Sequence, residues 1–279
     1  MGANEFLLRL SRLDRKVVQG AVMVTIIALI LIPLPLPLEI SEGTKAFYNG
    51  IDSLEEGNIV VIVCSHGAHE FAELQGGYEA VSTHLLRKNC KIMWVTPLAP
   101  LADLAMFRVL KEFPEKTYGE DWVNLGLLPG GEVGMASFLK DIHATIPRDF
   151  RGTPLENVPM MKDVKSAEDI DCVVPLYSSD ISALIRQYWA PYKLTIYAVW
   201  AKGVVPQNIG FWPEAVPAFL NGVDGEAQYE LMINKPGLAT KFLAILSLEG
   251  IVFIIFLILA NIGELGERGE LTKKIEEVN

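Results

Sequence analysis

Two long apolar runs do most to limit the folds open to this chain. The first, VVQGAVMVTIIALILIPLPLPL, covers residues 17–38 without a charge, and the second covers residues 242–262 with a single charge at Glu249. A helix needs about 20 apolar residues to cross the hydrocarbon core of a bilayer. Both runs reach that length, so the sequence predicts two transmembrane helices, the second extending over 239–262, with a domain between them.

The first run also has the basic flank and the apolar stretch of a signal peptide. It lacks the small-x-small pattern of a cleavage site and ends in Pro33, Pro35 and Pro37. We therefore interpret it as a retained membrane anchor. Its alternating Leu-Pro residues cannot continue a regular helix and predict a stiff, polyproline-like exit from the membrane.

Basic residues near the membrane ends predict the orientation of both helices. They are Arg9, Arg12, Arg15 and Lys16 before the first run, Arg268, Lys273 and Lys274 after the second, and Lys45, Lys235 and Lys241 on the inner flanks. Cytoplasmic flanks carry the excess of Lys and Arg. We expect both termini in the cytoplasm of a two-pass protein of the cell membrane, with the region of roughly 39–238 extracytoplasmic.

The two tails are short and charged. Residues 1–16 carry apolar and basic residues on separate helical faces, which predicts an interfacial amphipathic helix or, equally, a basic flank that only sets orientation. Residues 263–279 form a second charged tail that we place in the cytoplasm.

Short apolar runs alternate with helical patterns across residues 57–238. Five runs are strand-like: NIVVIVC, KIMWVT, WVNLGLL, CVVPLY and LTIYAVW. Continuous apolar strands separated by helices are typical of a parallel sheet covered on both faces. The sequence therefore predicts an α/β, Rossmann-like three-layer domain with a mainly parallel sheet. We expect a polar connector over 39–56 and a long loop over 147–169, of a length that is often functional or partner-contacting.

The turn after the first predicted strand concentrates reactive side chains. A thiol, a hydroxyl and two imidazoles stand at Cys64, Ser65, His66 and His69. Because ligands bind outside the carboxyl ends of strands in open parallel sheets, Cys64, His66 and His69 are candidate catalytic residues. The alternative is a polar turn that caps the next helix. The histidine spacing does not match the HExxH zinc motif, so no metal site is predicted.

Further polar or flexible residues follow other predicted strands. Ser65 and Gly67, the pair Gly130 and Gly131, and Ser178 are candidate ligand-binding residues at this edge of the sheet. Two glycines at the start of a helix offer free backbone N–H groups to an anion. The LLPGGEVG turn is neither GxGxxG nor a P-loop, so we expect no cofactor.

Glu249 is the most unusual residue of the second membrane run. It lies about 10 Å inside the predicted helix, where an ionisable group costs about 2.5–3.5 kcal/mol unless it is paired or protonated. Thr25 lies at a comparable depth in the first helix, and Ser247 is a small neighbour that permits close helix approach. We predict an intramembrane contact that involves Glu249, Ser247 and Thr25, within one chain or between chains; a shallower helix is the alternative.

Charge content excludes one functional class, and cysteine content excludes a fold held together by several disulfides. Residues 39–238 carry 26 acidic and 16 basic side chains, so a nucleic-acid binder is not expected. Three cysteines, Cys64, Cys90 and Cys172, form no disulfide framework.

The leading functional hypothesis is a non-catalytic, membrane-anchored subunit whose α/β domain assembles with copies of itself or with partner membrane proteins, the lipid bilayer being its other partner. The alternative is a membrane-bound hydrolase or transferase that uses Cys64, His66 and His69. A tethered ligand sensor is the third hypothesis.

Overall fold

The computed structural model describes residues 14–31, 37–65, 67–68, 70–97 and 102–278. Residues 37–240 form one compact unit, and the described parts of 1–36 and 241–279 form another. The predicted N-terminal tail up to residue 13 and most of the Leu-Pro run lie outside the described residues.

A six-stranded, all-parallel sheet forms the centre of the unit at 37–240. Its strands are β1 (Ile59–Ser65), β2 (Lys91–Thr96), β3 (Trp122–Leu127), β4 (Cys172–Tyr177), β5 (Thr195–Trp200) and β6 (Ala218–Asn221). Their spatial order is β3-β2-β1-β4-β5-β6, and every pairing is parallel. This order confirms the prediction of an α/β, Rossmann-like domain.

The helices that cover the sheet are α2 (Glu42–Asp52), α3 (Phe71–Arg87), α4 (Ala102–Leu110), α5 (Met135–Lys140), α6 (Ile142–Thr145), α7 (Ser182–Leu184), α8 (Val205–Asn208) and α9 (Gly222–Met232). Two buried apolar clusters occupy opposite faces of the sheet. Since both faces are covered, β1 is a continuous run of buried β-branched residues rather than an alternating strand.

The segment predicted as a polar connector contains a helix. Ser41 begins α2 as its N-cap, and its hydroxyl accepts the Thr44 N–H. Phe47 and Ile51 lie on one side of the helix and are fully buried, Phe47 packing edge-on against Tyr229 of α9. The other side of α2 carries polar residues, and for that reason the sequence predicted a connector here.

The segment predicted as a long loop lies along the edge strand β3. The Phe150 N–H donates to the carbonyl of Asn124 at 2.9 Å, and the Met160 N–H donates to that of Gly119 at 2.7 Å. Met161 and Val164 are buried in the core. The segment therefore protects a sheet edge that would otherwise expose unpaired backbone groups.

Two apolar helices remain. The other unit contains α1 (Arg15–Leu31) and all of α10 (Leu238–Val278) except its first three residues, which belong to the unit at 37–240. Within α10, the stretch Leu238–Glu264 has 27 residues and is long enough to cross a membrane. Its most apolar 18 residues have a mean hydropathy of 2.8, and 6% of them are buried. In α1 the apolar stretch has only Lys16–Leu31. Among the described residues there is thus one helix of membrane-spanning length where the sequence predicted two.

Candidate functional site

The strand order reverses between β1 and β4, and this reversal places their carboxyl ends side by side. The register pairs Ser65, the last residue of β1, with Tyr177, the last residue of β4. In open α/β sheets, a crevice forms outside the carboxyl ends at such a reversal and is the usual place for a ligand. The tertiary structure therefore places the predicted residues Ser65 and Ser178 at the same edge of the sheet, although they are 113 residues apart in the sequence.

Glu70 joins the two turns across this crevice. One of its carboxylate oxygens, Oε2, accepts the Gly67 N–H at 2.6 Å, and Oε1 accepts the Ser178 hydroxyl at 2.6 Å. The Gly67 N–H, in the turn after β1, thus already donates to a carboxylate of the protein itself. A phosphate approaching this turn would have to displace Glu70, and the turn also lacks the glycines that let the backbone of a dinucleotide-binding turn approach a pyrophosphate.

Two hydroxyls at the base of the crevice are buried. Ser65 is 3% exposed and Tyr177 is fully buried, and neither hydroxyl forms a hydrogen bond of good geometry within the described chain. Ser65 nevertheless lies close enough to Tyr177 to lower its pKa, while burial, and after it the charge of Glu132, raises the pKa of Tyr177. Sequence reasoning missed Tyr177, whose only signal was its position at the end of an apolar run.

Gly130 and Gly131 are required by the shape of the turn after β3. Their φ angles are 79° and 58°, a left-handed conformation that other residues rarely adopt. An added Cβ on Gly131 would lie 3.4 Å from the Pro97 carbonyl oxygen. Burial raises the pKa of the neighbouring Glu132. The backbone geometry therefore explains both glycines without a ligand, and their predicted binding role stays a prediction.

Cys64 faces the core rather than the crevice. Its side chain is 1% exposed and belongs to the apolar cluster that includes Leu74 and Tyr78 of α3. The other two predicted catalytic residues, His66 and His69, lie outside the described residues. A thiolate nucleophile needs an accessible, polar surrounding, so the burial of Cys64 weighs against the catalytic hypothesis, which stays untested.

The two described histidines have structural partners. His84 Nδ1 lies 2.7 Å from the Tyr229 hydroxyl, and its Nε2 lies 3.3 Å from Asp52 Oδ1. His143 Nε2 lies 2.9 Å from the Met161 carbonyl oxygen. Burial lowers the pKa of His84. Within the described chain, no group of three or more His, Cys, Asp and Glu side chains converges as metal ligands would.

A second cluster of polar side chains, absent from the sequence predictions, is formed by two residues of α9 and the groups that they contact. Glu226 and Glu230 are separated by one helical turn and are 0% and 2% exposed; we call them the buried glutamate pair. Glu226 Oε2 accepts the Gly77 N–H of α3 at 2.7 Å, and its Oε1 has no hydrogen-bond partner among the residues that the structure describes. Burial raises the pKa of Glu226 well above its usual value, and the charges of Glu230 and Glu73 raise it further.

Glu230 caps the start of α10. Its carboxylate accepts the N–H groups of Gly237, Ala239 and Thr240 at 2.7–2.9 Å and the Thr240 hydroxyl at 2.6 Å. The first N–H groups of a helix have no partner inside the helix, and a carboxylate there also interacts favourably with the helix dipole. Glu230 thus fixes the first turn of α10 to the α/β domain.

Two consecutive glycines in α3 make room for these contacts. An added Cβ on Gly76 would lie 2.6 Å from the Cβ and backbone nitrogen of Ala239, and one on Gly77 would lie 2.7 Å from the Glu226 carboxyl carbon. Both distances are too short for a real side chain. The Gly-Gly pair within a helical pattern was the one sequence signal for this close packing.

The burial of the thiols gives a direct test of the catalytic hypothesis. All three cysteines are described residues, and no disulfide joins them. Burial raises the pKa of Cys90 to about 11 and raises that of Cys172 still further. We expect a maleimide reagent at pH 7.5 to label all three at least about 100-fold more slowly in the native protein than after unfolding, since each must first be exposed. Fast labelling of Cys64 alone, located by mass spectrometry, would favour the hydrolase or transferase.

Comparisons with known proteins add little to this geometry. No protein-family model matches the sequence, and no curated protein matches it. Two solved chains match, one of them titled "Crystal Structure of Levodione Reductase", with a TM-score of 0.29 and 12% identity over 73% of this chain and 92% of that chain. At this TM-score the fold description depends on the strand order and register of the chain itself, which are those of an α/β, Rossmann-like domain.

Proposed function

We propose that the protein is a non-catalytic, membrane-anchored subunit that associates with other chains through α10, with its α/β domain held at the membrane surface. The observation that carries the proposal is the apolar stretch Leu238–Glu264, whose most apolar 18 residues have a mean hydropathy of 2.8 and are only 6% buried. Exposed residues there include Leu246, Ile251, Phe253, Ile254, Leu257 and Ile258. Apolar surface of this extent is costly in water, and a bilayer removes the cost.

Glu249 supports association between chains. Counted from Phe242, where the uncharged run begins, it lies about 10 Å along the apolar stretch, at a rise of about 1.5 Å per residue. It forms no hydrogen bond or ion pair with the described residues. Thr25, its predicted contact, donates its hydroxyl to the Ala21 carbonyl of its own helix at 2.9 Å. A carboxyl at this depth needs a partner, so a second chain is the natural source.

The face around Glu249 is open for close approach. An added Cβ on Gly250 would meet no atom within 4 Å, and Ser247 is exposed. Small residues let membrane helices approach, and a carboxyl group can then hydrogen-bond across the contact. Two-pass topology, cytoplasmic termini and an extracytoplasmic domain belong to the same proposal, and the distribution of Lys and Arg supports them.

Oligomer mass tests the proposal. Interhelical hydrogen bonds contribute about 1–2 kcal/mol, so we expect Glu249→Leu to weaken association of the full chain in mild detergent about tenfold. Glu249→Gln, which keeps hydrogen-bonding groups, should retain most of it. Native mass spectrometry over a dilution series gives the comparison.

Ile251→Ala provides the matched control because residue 251 lies two positions further along α10, on a different face from Glu249. This control should associate like the unmodified protein. A full chain that is monomeric at all concentrations and purifies from its membrane without companions would contradict the proposed function.

A further inference from the structure

A cavity of about 440 Å³ opens at the amino end of β5, on the opposite edge of the sheet from the crevice. Ala190, Leu194, Ala215 and Pro217 give it an apolar lining. Thr195, the first residue of β5, also lines it. The volume is within the range of roughly 300–1,000 Å³ that is common for small-molecule sites.

Two opposite charges line the same cavity without being paired. Lys193 comes from the turn before β5, and Glu214 comes from the segment before β6. Neither side chain forms an ion pair or hydrogen bond within the described chain, and their charged atoms do not meet each other within 4 Å. Both residues line one concave space and neither charge is used within the described chain, so both are available to a ligand.

The backbone holds Lys193 in an uncommon conformation. Its φ is 55°, in the left-handed region, where a lysine is less stable than glycine or asparagine. The Lys193 N–H donates to the Ala190 carbonyl at 3.0 Å, which closes a tight turn at the rim of the cavity. Unfavourable backbone conformations of this kind are concentrated at ligand-binding positions.

We propose that this cavity binds a small zwitterion with an apolar side chain, either a free α-amino acid or a short peptide. Lys193 binds the carboxylate of the ligand, Glu214 binds its ammonium group, and the apolar lining receives its side chain. The Thr195 hydroxyl is a further hydrogen-bonding group beside the carboxylate. This site is separate from the association through α10.

Isothermal titration of the full chain in mild detergent tests the site with four probes. L-leucine and L-leucyl-L-leucine distinguish the amino acid from the peptide, since the peptide places its two charges further apart and adds a second side chain. N-acetyl-L-leucine keeps the carboxylate alone, and L-leucinamide keeps the ammonium group alone. We expect one of the two zwitterions to bind at least about tenfold more tightly than both single-charge probes, because each charged contact is worth about that factor.

Two variants test whether the zwitterion binds in this cavity. Lys193→Met and Glu214→Gln should each weaken the preferred zwitterion about tenfold and leave the thermal unfolding midpoint unchanged, because both residues are exposed. Lys140→Met and Glu156→Gln are matched exposed controls, which should bind like the unmodified protein. Absence of binding by both zwitterions at millimolar concentration would overturn the proposal, and so would binding that neither cavity variant weakens.

Discussion

Replacing Glu230 with alanine is expected to lower the free energy of unfolding by about 3–5 kcal/mol. The substitution removes the acceptor of three backbone N–H groups and one hydroxyl at the start of α10. Ala239 is 1% exposed, so water cannot replace the lost acceptor for its N–H without local opening. Urea unfolding of the full chain in mild detergent, followed by tryptophan fluorescence, measures the difference.

The location of the effect can be measured as well as its size. Amide hydrogen exchange should increase most at Ala239 and Thr240, whose N–H groups lose their acceptor. Glu230→Gln should recover only part of the stability, because its amide nitrogen would face N–H donors. Glu156→Ala, at an exposed position, should change stability by no more than about 0.5 kcal/mol. If Glu230→Ala matches that control, the carboxylate does not hold the start of α10.

Glu226→Gln is expected to change the pH dependence of stability. Burial raises the pKa of Glu226 above its value in the unfolded chain, which is about 4.3. The contribution of this group is therefore fully present below that pH and is lost as the pH rises through the folded pKa. Over that window the unfolded carboxyl is ionised while the folded one keeps its proton, and the loss amounts to about 1.4 kcal/mol per pH unit.

The glutamine side chain has nearly the same shape as the glutamate side chain and does not titrate. We expect Glu226→Gln to be close to the unmodified protein at pH 4.5 and more stable than it at pH 8, by an amount that grows with pH across the window. Glu73 and Glu230 are the charged groups that act on Glu226 from α3 and α9, and both remain in the variant. Urea unfolding at intervals between pH 4.5 and 8.5 gives both curves, with Glu156→Gln as the control. Parallel curves for the variant and the unmodified protein would show that Glu226 titrates as an ordinary exposed carboxyl.

Most of the sheet could be predicted because its strands are buried on both faces. β1, β2, β4 and β5 are apolar runs that need no partner to be recognised. β6 has only four residues, Ala218–Asn221, and escaped prediction because so short a run carries little pattern. We interpreted α2 and the segment over 147–169 as a connector and a loop because both contain many polar residues. Their apolar residues are buried against parts of the domain that lie far away in the sequence.

The candidate crevice was only partly predictable, because it too depends on contacts between distant parts of the chain. Ser65, Gly67 and Ser178 were recognised from their positions after strands, and the reversal between β1 and β4 does bring Gly67 and Ser178 together through Glu70. Which way each side chain points was not predictable. Cys64 and Ser65 are neighbours in the sequence, yet successive residues of a strand face opposite sides of the sheet, so they enter different environments.

By itself, the sequence determined the local features of this protein: apolar strands, the α/β class, and a C-terminal helix long enough to cross a membrane. Hydrophobic periodicity and run length carry that information because they act over a few residues. Only the tertiary structure decided that Glu226 and Glu230 are buried, that Gly76 and Gly77 make room for Ala239 and Glu226, and that Lys193 and Glu214 line one cavity. Those properties depend on contacts between residues far apart in the chain, where packing and desolvation rather than local pattern set the free energy.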